Sequence, residues 1–371
     1  MKHINVLLII IAFSISSFAQ VVQTKIVDNG GSGPYPAMVA QEASLPDFAV
    51  YRPQNLENAV QIESKLPVIL FANGACVNSS LEYERLLTEV ASHGYIIIAI
   101  GALEMQSGDR SAVEVDASLL LDALDWITHQ AGDNTSEYYN RVDIDKIAAA
   151  GHSCGGAQVI SLADNPAFKS YIILNSGMGD MSMAGATPAS LQNYHSPVLY
   201  IVGGETDVAY SNALLDYSRI DHVEVTLTNL INGGHSGTFW ETYGGSNSRM
   251  MIKWLDWQFK NATDNCAVFL ENDLSEFPGW ELFSKNYDFD CDSQITNTIT
   301  LHSGWNLIGY PLENSTEISV ALSNIWEYVE TVKNFDGFYV KSNQAELNSL
   351  TELSWGKGYY IKVNADCELN W

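Results

Sequence analysis

The segment Gly151-His152-Ser153-Cys154-Gly155 places a hydroxyl among small residues, after the apolar run "KIAAA" and before the helix-like "GAQVISLADN". A strand-to-helix turn of the form G-x-S-x-G exposes its serine as a nucleophile, and its glycines let neighbouring backbone approach. A serine hydroxyl attacks only when a base takes its proton, so a histidine oriented by a carboxylate must exist elsewhere. The strand-like "PVLYIVGG" delivers Glu205 and Asp207 into the next loop; Asp207 is the chosen acid and Glu205 the alternative. "LINGGHSGTFWE" sets His235 after another strand among glycines, the best placed of the eight histidines. His152 is too near in sequence to turn back onto Ser153 and is expected to pack beside it.

Charge developing on a carbonyl oxygen needs fixed backbone donors. One is expected to be the N–H of Cys154, and the other the N–H of Ala75 in the loop after "LPVILFA", where Asn73-Gly74 allows close approach. Both loops carry a cysteine and must meet over one oxyanion, which predicts a Cys76–Cys154 disulfide. A Cys266–Cys291 bond is expected as well, leaving Cys367 free. The expected pocket walls are Met105, Met178, Phe239 and Trp240, from their positions after strands or beside His235. This chemistry requires no metal and no organic cofactor.

The elements that must hold these residues are legible as alternation. Continuous apolar runs ("FAVYR", "LPVILFA", "YIIIAIG", "YIILNSG", "PVLYIVGG", "VEVTLT") suit strands buried on both faces, and the segments between several of them repeat apolar residues at helical spacing. The fold class predicted is α/β, a doubly wound, mostly parallel sheet. Residues 21–263 form the expected catalytic domain and 264–297 a loop-rich linker. Residues 298–371, with "GWNLIGYPL" and "WGKGYYIKV", form a small β-rich module whose Trp305 and Trp355 are expected in its core. Contact with polysaccharide or a cell surface is the alternative use of those aromatics. Asp288, Asp290 and Asp292 read as a solvated acidic linker rather than a calcium loop.

Lys2, the apolar run Val6–Phe13 and the small residues before Gln20 have the order of a secretory signal peptide, residues 1–20. No later run reads as a membrane span, so the expected location is extracellular or periplasmic. The 371 residues carry 18 Lys+Arg against 44 Asp+Glu, a net charge of −26 that repels nucleic acid and anionic membrane surfaces.

These motifs resemble the α/β-hydrolase superfamily. The likeness is to its lid-poor secreted esterases, grouped around dienelactone hydrolase, cutinase-like polyester hydrolases and platelet-activating-factor acetylhydrolase. It rests on "GPYPA", "LPVILFANGAC", "ASHGYIIIAIG", "GHSCGG", "VGGETD" and "GGHSG", spread over about residues 31–260. The resemblance implies Ser153 as nucleophile, Asp207 as acid and His235 as base, with the amides of Ala75 and Cys154 on the oxyanion. Serine stands where dienelactone hydrolases typically carry cysteine, and Cys154 where many cutinase-like enzymes carry methionine. The substrate expected first is an acyl ester on a polysaccharide, then a polyester or lipid-like ester. Amide or peptide cleavage by the same triad, and a non-catalytic binding protein on the same fold, are the rivals; intact Ser153, Asp207 and His235 argue against the latter.

Overall fold

The computed structural model describes residues 20–108, 112–288, 291, 299–312 and 315–369. They divide into two compact units between Tyr287 and Asp288. The expected signal peptide, except Gln20, and Asp290 and Asp292 of the acidic cluster lie outside the described residues.

The first unit is built on strands β1 (Val21–Lys25), β2 (Ala37–Glu42), β3 (Leu45–Pro53), β4 (Leu66–Ala72), β5 (Ile96–Ile100), β6 (Val142–His152), β7 (Phe168–Leu174), β8 (Val198–Val202), β9 (Val225–Leu230) and β10 (Trp280–Lys285). Its helices are α1 (Leu56–Glu63), α2 (Glu84–Ser92), α3 (Ser118–Gly132), α4 (Cys154–Ser161), α5 (Tyr210–Arg219), α6 (Gly245–Phe259) and the short α7 (Cys266–Leu270). One ten-stranded sheet results, in the order β1-β2-β3-β5-β4-β6-β7-β8-β9-β10. The six strands from β5 to β9 are parallel, while β1, β2 and β3 at one edge and β10 at the other pair antiparallel.

Every residue of β4, β5 and β8 is buried, so helices and loops cover both faces of the sheet. That is why these strands read as unbroken apolar runs rather than alternating ones. The predicted α/β class with a smaller β-rich unit is therefore observed. Because β4, β6, β7, β8 and β9 run the same way, their carboxyl ends deliver five loops to one edge of the sheet, where ligand sites of such sheets form.

Residues 264–297, expected to be loop-rich, instead contain α7 and the strand β10, whose Trp280 pairs with Leu230 of β9. As an edge strand it has mixed exposure along its length and so lacks the apolar run that marks central strands.

In the second unit, β12 (Gly304–Gly309), β17 (Gly358–Val363), β14 (Val329–Lys333) and β15 (Phe338–Val340) form an antiparallel sheet. Two short ribbons pair β11 (Ile299–Leu301) with β18 (Cys367–Leu369) and β13 (Thr316–Glu317) with β16 (Glu352–Leu353). Its core comes from Leu301, Ile308, Ile318, Val332, Tyr359 and Ile361. The expected core tryptophans are not there: Trp305 and Trp355 are half exposed. Period-two alternation puts Trp305 on the same side of β12 as exposed Leu307, while Ile308 points inward.

Candidate active site

Ser153 sits at the turn between β6 and α4 with φ 53° and ψ −120°. A non-glycine residue held there is strained, and surrounding structure must fix it. It does so by close packing. A Cβ on Gly151 would lie 2.3 Å from the Gly155 carbonyl oxygen, and one on Gly155 would lie 2.3 Å from that of Ala72. Only glycine allows α4 to start this near β4 and β6. The Ser153 N–H donates to Leu174 O at 2.9 Å, and the Ser176 hydroxyl donates to Ser153 O at 2.6 Å.

The loops after β8 and β9 bring Asp207 and His235 to this turn. His235 Nε2 is 2.9 Å from Ser153 Oγ, and His235 Nδ1 is 2.7 Å from Asp207 Oδ1. The Asp207 carboxylate is fully enclosed and accepts four hydrogen bonds. His235 Nδ1 and the Ala209 N–H reach Oδ1; Asn175 Nδ2 at 2.7 Å and the Gly203 N–H at 3.1 Å reach Oδ2. Burial pushes this carboxyl up, but its hydrogen bonds, led by that from His235, outweigh burial and leave it below its ordinary value. Glu205, the alternative acid, is exposed. Asn175 also donates to Gly234 O at 3.0 Å, so one amide ties the acid to the histidine loop. Its position after β7 is the only sequence signal of that role.

His152 lies beside the site, as its neighbourhood to Ser153 suggested, but its contacts were not legible in sequence. His152 Nε2 is 2.7 Å from the carbonyl oxygen of His235, and Nδ1 is 2.8 Å from the Tyr83 hydroxyl. A carbonyl only accepts, so these partners assign the proton to Nε2 and make Nδ1 the acceptor of the Tyr83 O–H. Tyr83 Oη in turn accepts the Gly74 N–H at 2.8 Å. A buried chain of three directed hydrogen bonds thus connects the loop after β4 to the loop carrying His235.

Burial pushes the His152 imidazole down to about 4. The unfolded chain takes up this proton near pH 6.5 and the folded one refuses it until about 4, so His152 stabilises the fold above pH 6.5 and that contribution is lost as pH falls toward 4. Asp216, raised by burial to about 6, works in the opposite sense. His152→Gln should therefore lose less stability than the parent between pH 7 and 4.5, by about 2 kcal/mol in urea melts. Parallel losses in the two proteins would contradict this assignment.

Cys154 directly follows Ser153 in the chain, and Ala75 belongs to the loop after β4. Cys154 opens α4, so its N–H has no acceptor one turn back in the helix. Ala75 adopts φ 52° in the turn after β4 and lines the Ser153 cleft. The two loops are joined by a Cys76–Cys154 disulfide, with Cα atoms 5.1 Å apart. Cys266 and Cys291 are also disulfide-bonded, and Cys367 is a free thiol. The Cys76–Cys154 bond spans 78 residues. Replacing both cysteines by alanine is expected to cost about 4 kcal/mol on the loop-entropy account, read as a lowered midpoint in denaturant. A midpoint equal to the parent's would show that the bond constrains little.

The cleft over Ser153 is open, about 740 Å³, and lined by Ala75, Tyr83, Glu104, His152, Ser153 and His235 among others. The four expected walls fare differently. Met105 is exposed on the Glu104–Gly108 loop that borders the cleft. Met178 is 0 % exposed within the core, because its N–H is drawn down to buried Asp216 at 2.5 Å; it is not a wall. Phe239 and Trp240 line a separate adjoining hollow, with Phe239 buried against His152 at a ring distance of 5.1 Å.

A family model described as chlorophyllase matches residues 46–181. Two cutinases of Thermobifida alba, est1 and est2, are 29% and 30% identical over 161 residues, 40% of this chain and 50% of each relative. The chain thus spans about half the length of the curated relatives it matches. With the mostly parallel sheet and the serine turn at the end of β6, these similarities show an α/β-hydrolase fold akin to that of ester hydrolases.

Proposed function

We propose that this protein is a serine hydrolase of carboxylic esters, with Ser153 as nucleophile, His235 as general base and Asp207 as the orienting acid. The observation that carries the reading is the continuous hydrogen-bonded line from Asp207 Oδ1 through His235 to Ser153 Oγ, with the carboxylate otherwise saturated by donors. His235 Nε2 takes the Ser153 proton as Oγ attacks the ester carbonyl, and Asp207 stabilises the resulting imidazolium. The N–H groups of Ala75 and Cys154 hold the oxyanion. His235 then gives the proton to the leaving alcohol, and a water activated by the same imidazole releases the acid from Ser153.

An exported enzyme acting on bulky or polymer-linked esters fits the open cleft, the disulfides and the leader-like first residues. Among the described residues no helix is long and apolar enough to cross a membrane. From sequence, an acyl ester on a polysaccharide ranked first. The cutinase names of the relatives favour a hydrophobic polyester instead. A fluorophosphonate probe followed by peptide mapping tests the chemistry. A single adduct on Ser153, with matching loss of p-nitrophenyl acetate hydrolysis, is expected; hydrolysis that survives complete labelling would sink the proposal.

A further inference from the structure

Two successive non-glycine residues in the turn after β4, Ala75 and Cys76, both have φ 52°. Left-handed backbone at such residues persists only where its surroundings hold it. The turn is held at several points. Asn73 Nδ2 donates to Val77 O at 2.8 Å and to Ile100 O at 2.7 Å, and the Val115 N–H donates to Cys76 O at 2.8 Å. The disulfide ties Cys76 to the start of α4. A further hold leads across the site: the Gly74 N–H donates to Tyr83 Oη, the Tyr83 O–H to His152 Nδ1, and His152 Nε2 to His235 O.

This chain has no slack. An N–H begins it and a carbonyl ends it, so its direction cannot reverse. Tyr83 is 3% and His152 6% exposed. The Tyr83 ring packs on Phe71 at 5.0 Å and on Phe239 at 5.8 Å, and Phe239 meets the His152 imidazole edge-on. Gly74 does not have a positive φ, so no turn dihedral asks for glycine there. Close approach does: a Cβ at this position would lie 2.7 Å from both His152 Nδ1 and Tyr83 Oη. The backbone next to Ala75 is thus pressed against the phenol and the imidazole.

From this geometry we infer that Tyr83 and His152 are positioning residues, which set the Ala75 amide and His235 at one fixed spacing across Ser153. They act through Gly74 and the His235 carbonyl, and need no contact with the ester. The inference rests on the ester-hydrolase reading above, in which Ala75 holds the oxyanion and His235 is the base. Deleting the Tyr83 hydroxyl cuts the chain at two bonds, leaves the Gly74 N–H without its acceptor, and keeps the ring packing. The strained turn can then relax and draw the Ala75 amide out of place.

The test compares the full-length parent with Tyr83→Phe, using p-nitrophenyl acetate as substrate and 2,2,2-trifluoroacetophenone as inhibitor. Ser153 Oγ adds to the ketone carbonyl, its proton passes to His235, and the former carbonyl oxygen becomes an oxyanion facing the two amides. Tyr83→Phe is expected to lower kcat about tenfold or more, to keep KM within about twofold, and to raise the inhibition constant by about the factor lost in kcat. KM and the inhibition constant do not depend on the fraction folded, so partial unfolding cannot imitate this pattern. Tyr171→Phe is the control. It deletes a buried hydroxyl on β7 that bonds to Ala163 O and His195 Nε2, and should leave all three constants at parental values. The positioning role is overturned if Tyr83→Phe loses less than about threefold in kcat, if the inhibition constant stays unchanged, or if Tyr171→Phe shows the same losses. A parent inert to p-nitrophenyl acetate would overturn the ester-hydrolase reading itself.

Discussion

Asp207→Asn is expected to lower kcat for a short ester about 10⁴-fold while changing KM little. The reason lies in the four donors around the carboxylate. If the new amide nitrogen occupied the Oδ2 position, it would face Asn175 Nδ2 and the Gly203 N–H, donor against donor. If it occupied the Oδ1 position, it would face the Ala209 N–H and donate to His235 Nδ1, moving the imidazole proton to Nε2. In that tautomer the ring can no longer accept from Ser153. The variant should also melt lower than the parent, because a buried donor is left unmatched in either orientation. A kcat within tenfold of the parent would exclude Asp207 as the orienting acid and return attention to Glu205.

Ser153→Ala should have the larger effect, about 10⁶-fold in kcat, with the residual rate coming from substrate binding and the oxyanion amides. Its diagnostic value comes from how little else changes. The Ser153 hydroxyl meets His235, while the elbow is held through the Ser153 backbone, by Leu174 O and the Ser176 hydroxyl. Alanine is no more strained than serine at φ 53°. Thermal stability should therefore stay close to the parental value while turnover disappears. Residual hydrolysis above a hundredth of the parental rate would point to another nucleophile.

The central sheet was legible because its strands are buried on both faces and write themselves as apolar runs. The Ser153 turn was legible because nucleophile and glycines lie within five residues. Residues that act across the fold were harder. Asn175 and Tyr83 sit in unremarkable contexts, 32 residues before Asp207 and 69 before His152, and only the parallel topology brings each to its partner. Met178 was misread because position after a strand says where a residue begins, not which way its neighbours pull it. Trp305 was misread because aromatic character in a small β unit was taken for burial, although the pleat turns that side chain outward.

The antiparallel strand β10 bears on where this chain can be divided. Ending the first unit at Thr263, where the helical pattern of α6 stops, would strip β9 of its partner from Val225 to Leu230. The exposed strand would present a row of unsatisfied amides and carbonyls beside Val225 and Leu227, an invitation for other copies to pair with it. Residues that look like a tether therefore serve as the sheet's selvedge, and a shortened protein that precipitates would have been cut through its weave rather than at its hem.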